Sequence, residues 1–336
     1  MKAYAYLDGV SLDHLREVNR PDPNPGPHDI VIKLQAATLN YRDLAIARGN
    51  YHIAVSAPLI PLSDGAGTVA AVGSQVSRFK VGDLVCPLYL PNWIDGPTSA
   101  HAVARRLGGP NDGVLADYIC VDEQEAVRMP AHLDAVEAAT FPVAGVTAWR
   151  SMHEIGCVRP GDTVVVLGTG GVSTIALQIA AAGGARTIAV TRRPEFSDRL
   201  KRLGASHVLM GSDSDEWPKD VLALTDGRGA DVVVDVLGGP SLGRSIAAAR
   251  KGGVVHLVGY AVDTSATFDI FDAIRRSATV RLASAGSRES FLSLMRVFGQ
   301  QRLTPAVDRV FDIKNIRGAF DHLAKGGHFG KVAIRF

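Results

Sequence analysis

The chain reads as an α/β protein, a β-rich first part followed by a doubly wound parallel sheet. Three observations predict this. Between residues 163 and 259, short apolar, β-branched runs alternate with helical stretches, the pattern of a parallel sheet covered on both faces. Residues 1–128 carry β-type runs separated by Pro, Gly, Asp and Asn. The first strand of the alternating region also runs straight into a glycine turn and a helix.

The elements follow in order. Residues 30–34, 67–72 and 83–88 are strand candidates, and the Pro-rich 20–27 is a turn, since proline removes donors and fixes φ. Residues 92–113 form a long connection with turn-rich ends and a predicted short helix over 99–107. A connection of this length is either a lid or a surface excursion. It carries Trp93, expected to pack, and His101, expected to be solvated. Residues 134–155 read as two helical stretches broken at Pro142 and Gly145. Strands are then predicted at Thr163–Leu167, Arg186–Thr191, His207–Met210, 231–237 and 254–259. Helices are predicted between them at 172–182, 195–203, 215–225 and 242–250. Beyond about residue 265 the alternation fades, leaving a strand at 279–283, an amphipathic helix at 289–298 and a last strand at 331–336.

Composition narrows the function classes. With 336 residues, two domains are expected. A hydrophobic share of 46% excludes bulk disorder. The 36 basic and 34 acidic residues nearly cancel, so nucleic acid is a poor default partner. Three cysteines without a C-x-x-C pair argue against a disulfide framework or a Cys-rich zinc lobe and suit a reducing cytoplasm. The N-terminus has no secretory pattern. Residues 163–185 are uncharged and long enough to span a bilayer, but five glycines make a buried strand, turn and helix the better reading, without membrane association.

The sharpest motif is Val166–Leu167 followed by Gly168, Thr169, Gly170, Gly171, Val172 and Ser173. Gly168 permits a tight turn, Gly170 lets backbone approach a pyrophosphate, and the helix N-terminus faces the phosphates. Ser173 departs from the dinucleotide fingerprint at the third glycine. The next strand ends in Thr191, Arg192 and Arg193, with no acid until Glu195. Two guanidiniums suit a 2′-phosphate, so NADP(H) is expected over NAD(H). Gly259 and Tyr260, at a later strand end, lie where such sheets contact ligands.

With these motifs the chain resembles the medium-chain dehydrogenase/reductase superfamily over nearly its whole length. The resemblance rests on Leu39–Asn40–Tyr41–Arg42–Asp43, on the stretch from Pro61 to Gly67, on Val81–Gly82–Asp83, Gly145–Val146–Thr147–Ala148 and the ending His328–Phe329–Gly330–Lys331–Val332. It implies a GroES-like β domain, from 1–128 and 270–336, and a Rossmann domain from 129–269. It also implies a homodimer paired through an edge strand at 275–284. At the positions matching zinc ligands in the family's alcohol dehydrogenases stand Asn40, Ser63 with Asp64, and Val143. Asn and Ser are poor zinc ligands and the Val side chain is none. The chain therefore resembles the zinc-free branch, which includes quinone oxidoreductases and enoyl reductases, and no metal is expected.

Without a Lewis acid, activated acceptors are the easier substrates. The sequence thus points to NADPH-dependent hydride transfer to a quinone or an α,β-unsaturated carbonyl. Tyr51 matches the proton-donating tyrosine of the branch's enoyl reductases, Tyr41 is its rival, and Asn40 is placed to orient the nicotinamide ribose or carboxamide. Asp43 is expected to pair structurally with Arg42 or Arg48. Thr147 is expected against the nicotinamide, with Gly330 and Lys331 closing over the cofactor. The alternatives are a zinc-independent alcohol or aldehyde dehydrogenase and a non-catalytic NADP(H)-binding sensor.

Overall fold

The computed structural model describes residues 1–211, 216–283 and 285–336. The chain divides into two compact units, Met1–Val146 with Ala285–Phe336, and Thr147–Ser284. The sequence reading put the borders near 128 and 270. Residues 135–146 belong with the first unit because they bond to it: Thr38 Oγ1 donates to Ala139 O at 2.7 Å and Val143 N to Asp64 at 2.9 Å.

In the first unit β1 (Lys2–Tyr6) and β2 (Leu15–Asn19) form an antiparallel pair. Next come β3 (Asp29–Thr38), β4 (Asp64–Val72), β5 (Leu84–Pro87), β6 (Tyr118–Asp122) and β7 (Ala126–Arg128). The second unit holds β8 (Thr163–Leu167), β9 (Arg186–Thr191), β10 (His207–Met210), β11 (Ala230–Asp235), β12 (Ala249–Leu257) and β13 (Thr279–Leu282). β14 (Val307–Asp312) and β15 (Lys331–Arg335) return to the first unit.

The second unit's sheet is parallel throughout, in the order β10-β9-β8-β11-β12-β13. This is the doubly wound order in which ligands bind beyond the strand ends beside the central crossover. β8 is buried at all five positions, as its Thr-Val-Val-Val-Leu run requires of a strand covered on both faces. The first unit's sheet runs β14-β15-β3-β4-β5-β7. One edge of the long β3 is shared: its first half pairs with β6 and its last residues with β15. Helix Ile316–Lys325 presents Ile316, Ala319, Phe320 and Leu323, one stripe at helical spacing, to the core with Ile30, Ile32, Val332 and Ile334.

Several expectations change. Residues 99–107 form turns, not a helix, with Val103 N bonded to Ser99 O and Ala104 N to His101 O. The 134–155 region is not broken at Gly145. Its helical path continues through wide turns at Phe141–Gly145 and Ser151–Ile155 on either side of Val146–Arg150. Gly145 serves packing, since a Cβ there would stand 2.7 Å from Phe141 Cδ1. The 195–203 helix shortens to Ser197–Arg202 after a tight turn at Pro194–Phe196. The 215–225 helix is Trp217–Leu224, and residue 215 lies outside the described residues. β12 begins five residues before the predicted 254. Within 275–284, β13 forms the sheet edge, helix Ile270–Arg276 precedes it, and residue 284 lies outside the described residues. Among the described residues no helix is long and apolar enough to cross a membrane.

Candidate functional site

The glycine turn follows β8, at the point where the strand order reverses. Gly168 has φ +77°, a conformation that strains any side chain, and its N–H closes the turn on Val190 O at 2.8 Å. Gly170 is extended and caps helix Gly171–Ala182 without a side-chain hydrogen bond, so the first N–H groups at Gly171 and Val172 face outward for a ligand to satisfy. The Ser173 hydroxyl donates to Leu167 O at 2.7 Å. The departure from the fingerprint is thus absorbed by a bond that ties helix to strand. Thr169 and Val172 are part-exposed within this cradle. These residues fit a dinucleotide pyrophosphate.

At the end of β9, Thr191 is buried and its Oγ1 accepts Arg193 N at 3.1 Å. Arg192 and Arg193 are exposed, and Arg193 pairs loosely with Glu195 at 3.5 Å. Gly259 follows β12, where a Cβ would fall 2.0 Å from Val236 O, so only glycine lets these two strand ends lie together. Tyr260 is part-buried beside it. Sequence reasoning missed Asp235, the buried last residue of β11. Its carboxylate accepts Leu237 N, Gly238 N, Ser241 Oγ and Ser245 Oγ at 2.7–3.2 Å, locking the loop after the strand. The predicted strand 231–237 placed it in the strand interior, so nothing local marked it, and only the structure ends β11 there.

Thr147 is buried, and its carbonyl accepts Ser151 Oγ at 2.8 Å. Ser151 Oγ also meets His256 Nδ1 at 2.7 Å, while His256 Nε2 lies 2.9 Å from Ala283 O. Burial pulls the His256 imidazole down to about 4, against the opposing effect of the bond to Ala283.

The first unit contains a buried polar cluster assembled by strand register. Thr38 at the end of β3 stands opposite Asp64 at the start of β4, and Ala333 of β15 stands on the other side of Thr38. Lys331, two residues earlier, therefore lies beside the end of β3 and reaches Asp64. Its ammonium donates to Leu39 O at 2.8 Å, Asn40 Oδ1 at 2.5 Å and Asp64 Oδ2 at 3.1 Å. Asp64 is fully buried and also accepts Asn40 Nδ2 at 2.9 Å and Val143 N at 2.9 Å. Lys331 was expected to close over the cofactor; here all three of its N–H donors are engaged within this cluster. Gly330 sets its entry, with φ +87° and Ala306 O where a Cβ would lie.

Beside this cluster, helix Tyr41–Ala47 carries Arg42 and Asp43. Asp43 accepts Asn40 N at 2.7 Å and pairs with Arg42 at 3.5 Å, the expected structural role. Burial pushes its carboxyl up to about 6, although Arg42 pulls it down. Arg42 is itself buried and donates to Ser63 Oγ, Leu107 O and Gly109 O at 2.8–3.1 Å and, through Nε, to Tyr51 Oη at 3.4 Å. The sequence reading of Tyr51 had no sign of this guanidinium or of buried Tyr89 on its other side. Asn40 and Tyr51 thus join the buried network, whereas Tyr41 stands 39% exposed at the helix start. In the 92–113 connection Trp93 is buried with Tyr89 and Leu90, and His101 is exposed.

The groups at the zinc-matching positions do not make a zinc donor set. Asn40 and Asp64 are bonded to the Lys331 ammonium, Ser63 to the Arg42 guanidinium, and Val143 contributes a backbone N–H to Asp64. Zinc sites need thiolate, imidazole or carboxylate lone pairs converging on one point. Among the described residues no three His, Cys, Asp or Glu side chains gather in that way.

Comparison with known proteins places the molecule. Residues 26–131 match the alcohol dehydrogenase GroES-like domain and residues 171–300 the zinc-binding dehydrogenase family. A zinc-type alcohol dehydrogenase-like protein of Schizosaccharomyces pombe (strain 972) is 35% identical over 99% of this chain and 98% of its own. A crystal structure from Sinorhizobium meliloti 1021, described as an alcohol dehydrogenase, shares 37% identity with a TM-score of 0.92, covering 100% of this chain and 98% of that one. An NAD-dependent alcohol dehydrogenase structure shares 29% identity with a TM-score of 0.90, covering both chains fully. The chain belongs to the medium-chain dehydrogenase/reductase superfamily, as an oxidoreductase of the zinc-type alcohol dehydrogenase-like kind.

Proposed function

We propose that this oxidoreductase is NADPH-dependent and works without zinc, passing hydride to an activated acceptor, a quinone or an α,β-unsaturated carbonyl. The observation that carries the reading is that the side chains at the zinc-matching positions are engaged by two internal cations, Asn40 and Asp64 by Lys331 and Ser63 by Arg42. The bound nicotinamide supplies the hydride. The chain's residues do the rest. The Gly168–Val172 turn and the following helix hold the pyrophosphate, and Arg192 and Arg193 hold the 2′-phosphate with Thr191 shaping their loop. Asn40, fixed by Lys331 and Asp64, presents an oriented amide. Tyr51 gives a proton to the reduced substrate.

The test is NADPH consumption by chelator-treated protein with small quinones, enones and simple aldehydes. Turnover confined to quinones or conjugated carbonyls is expected. Loss of activity on chelation would falsify the zinc-independent reading. Turnover of simple aldehydes would favour the second reading, an alcohol or aldehyde dehydrogenase, to which the names of the relatives point. Tight NADPH binding without turnover would leave the sensor reading. For the cofactor, Arg192→Gln with Arg193→Gln is expected to weaken NADPH but not NADH binding, by roughly 10-fold or more. We propose a homodimer as well, because Phe271 of helix Ile270–Arg276 and Leu282 of edge strand β13 are each more than 70% exposed. Light scattering that finds a monomer at micromolar concentration would remove it.

A further inference from the structure

The Asn40 amide is clamped at both ends. Its Oδ1 accepts the Lys331 ammonium at 2.5 Å, and its Nδ2 donates to Asp64 Oδ2 at 2.9 Å. An ammonium only donates and a carboxylate only accepts, so the amide cannot flip. The clamp is itself fixed. Lys331 spends its other N–H groups on Leu39 O and Asp64, and Asp64 also accepts Val143 N at 2.9 Å and Thr38 Oγ1 at 3.4 Å. The Asn40 backbone is held as well, its N–H donating to Asp43 Oδ2 at 2.7 Å and its carbonyl accepting Asp43 N at 3.0 Å. An amide nitrogen carries two hydrogens, and one is spent on Asp64. The other has no protein acceptor among the described residues. Thr38, Asp64 and Lys331 are buried, whereas Asn40 is part-exposed. Of these four, the residue that reaches the surface is the one with a donor to spare.

We propose that Asn40 is a catalytic residue whose second Nδ2–H donates to the substrate's carbonyl oxygen as that oxygen gains charge, with Lys331 and Asp64 as the positioning residues that aim it. This rests on the reading of the protein as a reductase of activated acceptors. In the step, hydride from the reduced nicotinamide forms a C–H bond at the β-carbon of the acceptor. The carbon–carbon π pair moves to the bond between α-carbon and carbonyl carbon, and the carbonyl π pair moves onto oxygen. An enolate results, and the nicotinamide is left oxidised. Asn40 keeps its proton and only donates a hydrogen bond to the oxyanion. The proton that completes the product then goes to the α-carbon from the acid.

The inference explains a feature the fold alone does not require. The Lys331–Asp64 ion pair is buried, with side chains 4% and 0% exposed, and burying a pair costs desolvation that apolar residues of the same size avoid. What the pair supplies is an amide held in one orientation. A fixed dipole is worth most where charge appears during reaction, because nothing has to reorganise at that moment. A ribose hydroxyl of the cofactor gains no charge in the step and can rotate to meet a donor, so it does not call for a clamped one.

The experiment compares wild type with Asn40→Ala, Asn40→Asp and the paired change of Lys331→Met with Asp64→Asn. It reads kcat and KM with an enone, NADPH affinity and the thermal midpoint. It also reads the affinity of the NADP⁺-loaded protein for para-nitrophenolate and for nitrobenzene. The phenolate oxygen imitates the enolate oxygen, and nitrobenzene is the same ring without it. Asn40→Ala leaves Lys331 and Asp64 paired, so it is expected to fold. It should lower kcat roughly 100-fold, the loss of one donor to an oxyanion, with NADPH affinity unchanged. It should weaken para-nitrophenolate about 10-fold or more and leave nitrobenzene unmoved, a difference that a merely structural residue would not produce. Asn40→Asp keeps an acceptor for Lys331 but has no N–H, so it should not restore kcat. The paired change keeps the amide and removes the clamp without leaving a charge buried alone, and it should lose part of what Asn40→Ala loses. Wild-type kcat in the paired variant would remove the positioning role. If Asn40→Ala matches wild type in kcat and phenolate affinity, the proposal is wrong and the reductase reading stands. If Asn40→Ala weakens NADPH while kcat is intact, Asn40 serves the cofactor and the proposal is again wrong. If wild type turns over simple aldehydes alone, the activated-acceptor reading falls, and the same variants decide the proposal on the aldehyde oxygen. If wild type transfers hydride to no acceptor, both fall. If the paired variant does not fold, Asn40→Ala and Asn40→Asp decide.

Discussion

The two candidate regions are built in opposite ways. The glycine turn of the second unit is made of backbone from six consecutive residues, Gly168 to Ser173, and works by what is absent: no Cβ at Gly168 and no side-chain cap at Gly170. The cluster of the first unit is made of side chains. Asp64 lies 24 residues from Asn40 and 267 from Lys331, and only the pairing of β15, β3 and β4 brings them together. A contiguous backbone site is fixed by local chemistry. A dispersed side-chain site depends on the whole sheet, and its charges depend on each other for burial.

That difference orders the expected effects of mutation. The largest belongs to Lys331→Met, which strands the fully buried Asp64 carboxylate without its ion partner. Loss of about 3–5 kcal/mol is expected, read by denaturant unfolding; wild-type stability would show that Asp64 needs no cation and would break the contrast.

Gly168→Ala comes next. A methyl there meets Val236 Cγ2 at a tolerable 3.4 Å, so the cost is the positive φ, roughly 1–2 kcal/mol. Because the turn is a ligand cradle, the larger effect should fall on NADPH affinity, measured by calorimetric titration. Equal affinity in the variant would remove the turn from the cofactor site.

A finer comparison uses pH. Asp43 in the first unit is raised to about 6, so the folded state holds its proton in a range where the unfolded chain has released it. Its contribution to stability is present below about pH 4 and is lost as pH rises through 6. His256 in the second unit is lowered to about 4, so the unfolded chain takes up the proton first. Its contribution is present above about pH 6.5 and is lost as pH falls through 4. The slopes oppose each other over one window. Asp43→Asn should make stability rise more steeply with pH between 4 and 6, and His256→Gln should make it rise less. Unfolding curves at several pH values, each variant minus wild type, check both; like-signed differences would contradict the assignment. The smallest effect is expected for Glu195→Gln, which removes a half-exposed partner of Arg193. A change below about 1 kcal/mol in thermal or chemical unfolding is expected.

The same contrast explains what could be read beforehand. Thr163–Leu167 and Arg186–Thr191 are found with the bounds the residues suggested, because a strand buried on both faces must be apolar nearly throughout, and the part-buried edge strand His207–Met210 keeps its suggested bounds too. Helix Ile316–Lys325 was missed although its apolar spacing is regular; flanking charges and an internal Gly318 diluted the pattern. The 99–107 segment has helical composition, yet the Tyr89–Trp93 cluster beneath it and the Asn111 bond to Arg106 N hold it in turns. Asn40 and Tyr51 were legible only as matches to known positions, while Arg42 and Tyr89, which bond or flank Tyr51, left no local signal.

By itself the sequence determined the parallel sheet, the glycine turn and the presence of two guanidiniums after the second strand, since each is a local pattern set by backbone freedom, burial or charge. Only the tertiary structure decided that Lys331 neutralises Asp64, that Arg42 takes up Ser63, and that Arg42 also points its Nε–H at Tyr51. The physical reason is that a buried charge is stable only beside its partner, and that partner is chosen by strand register and packing across hundreds of residues.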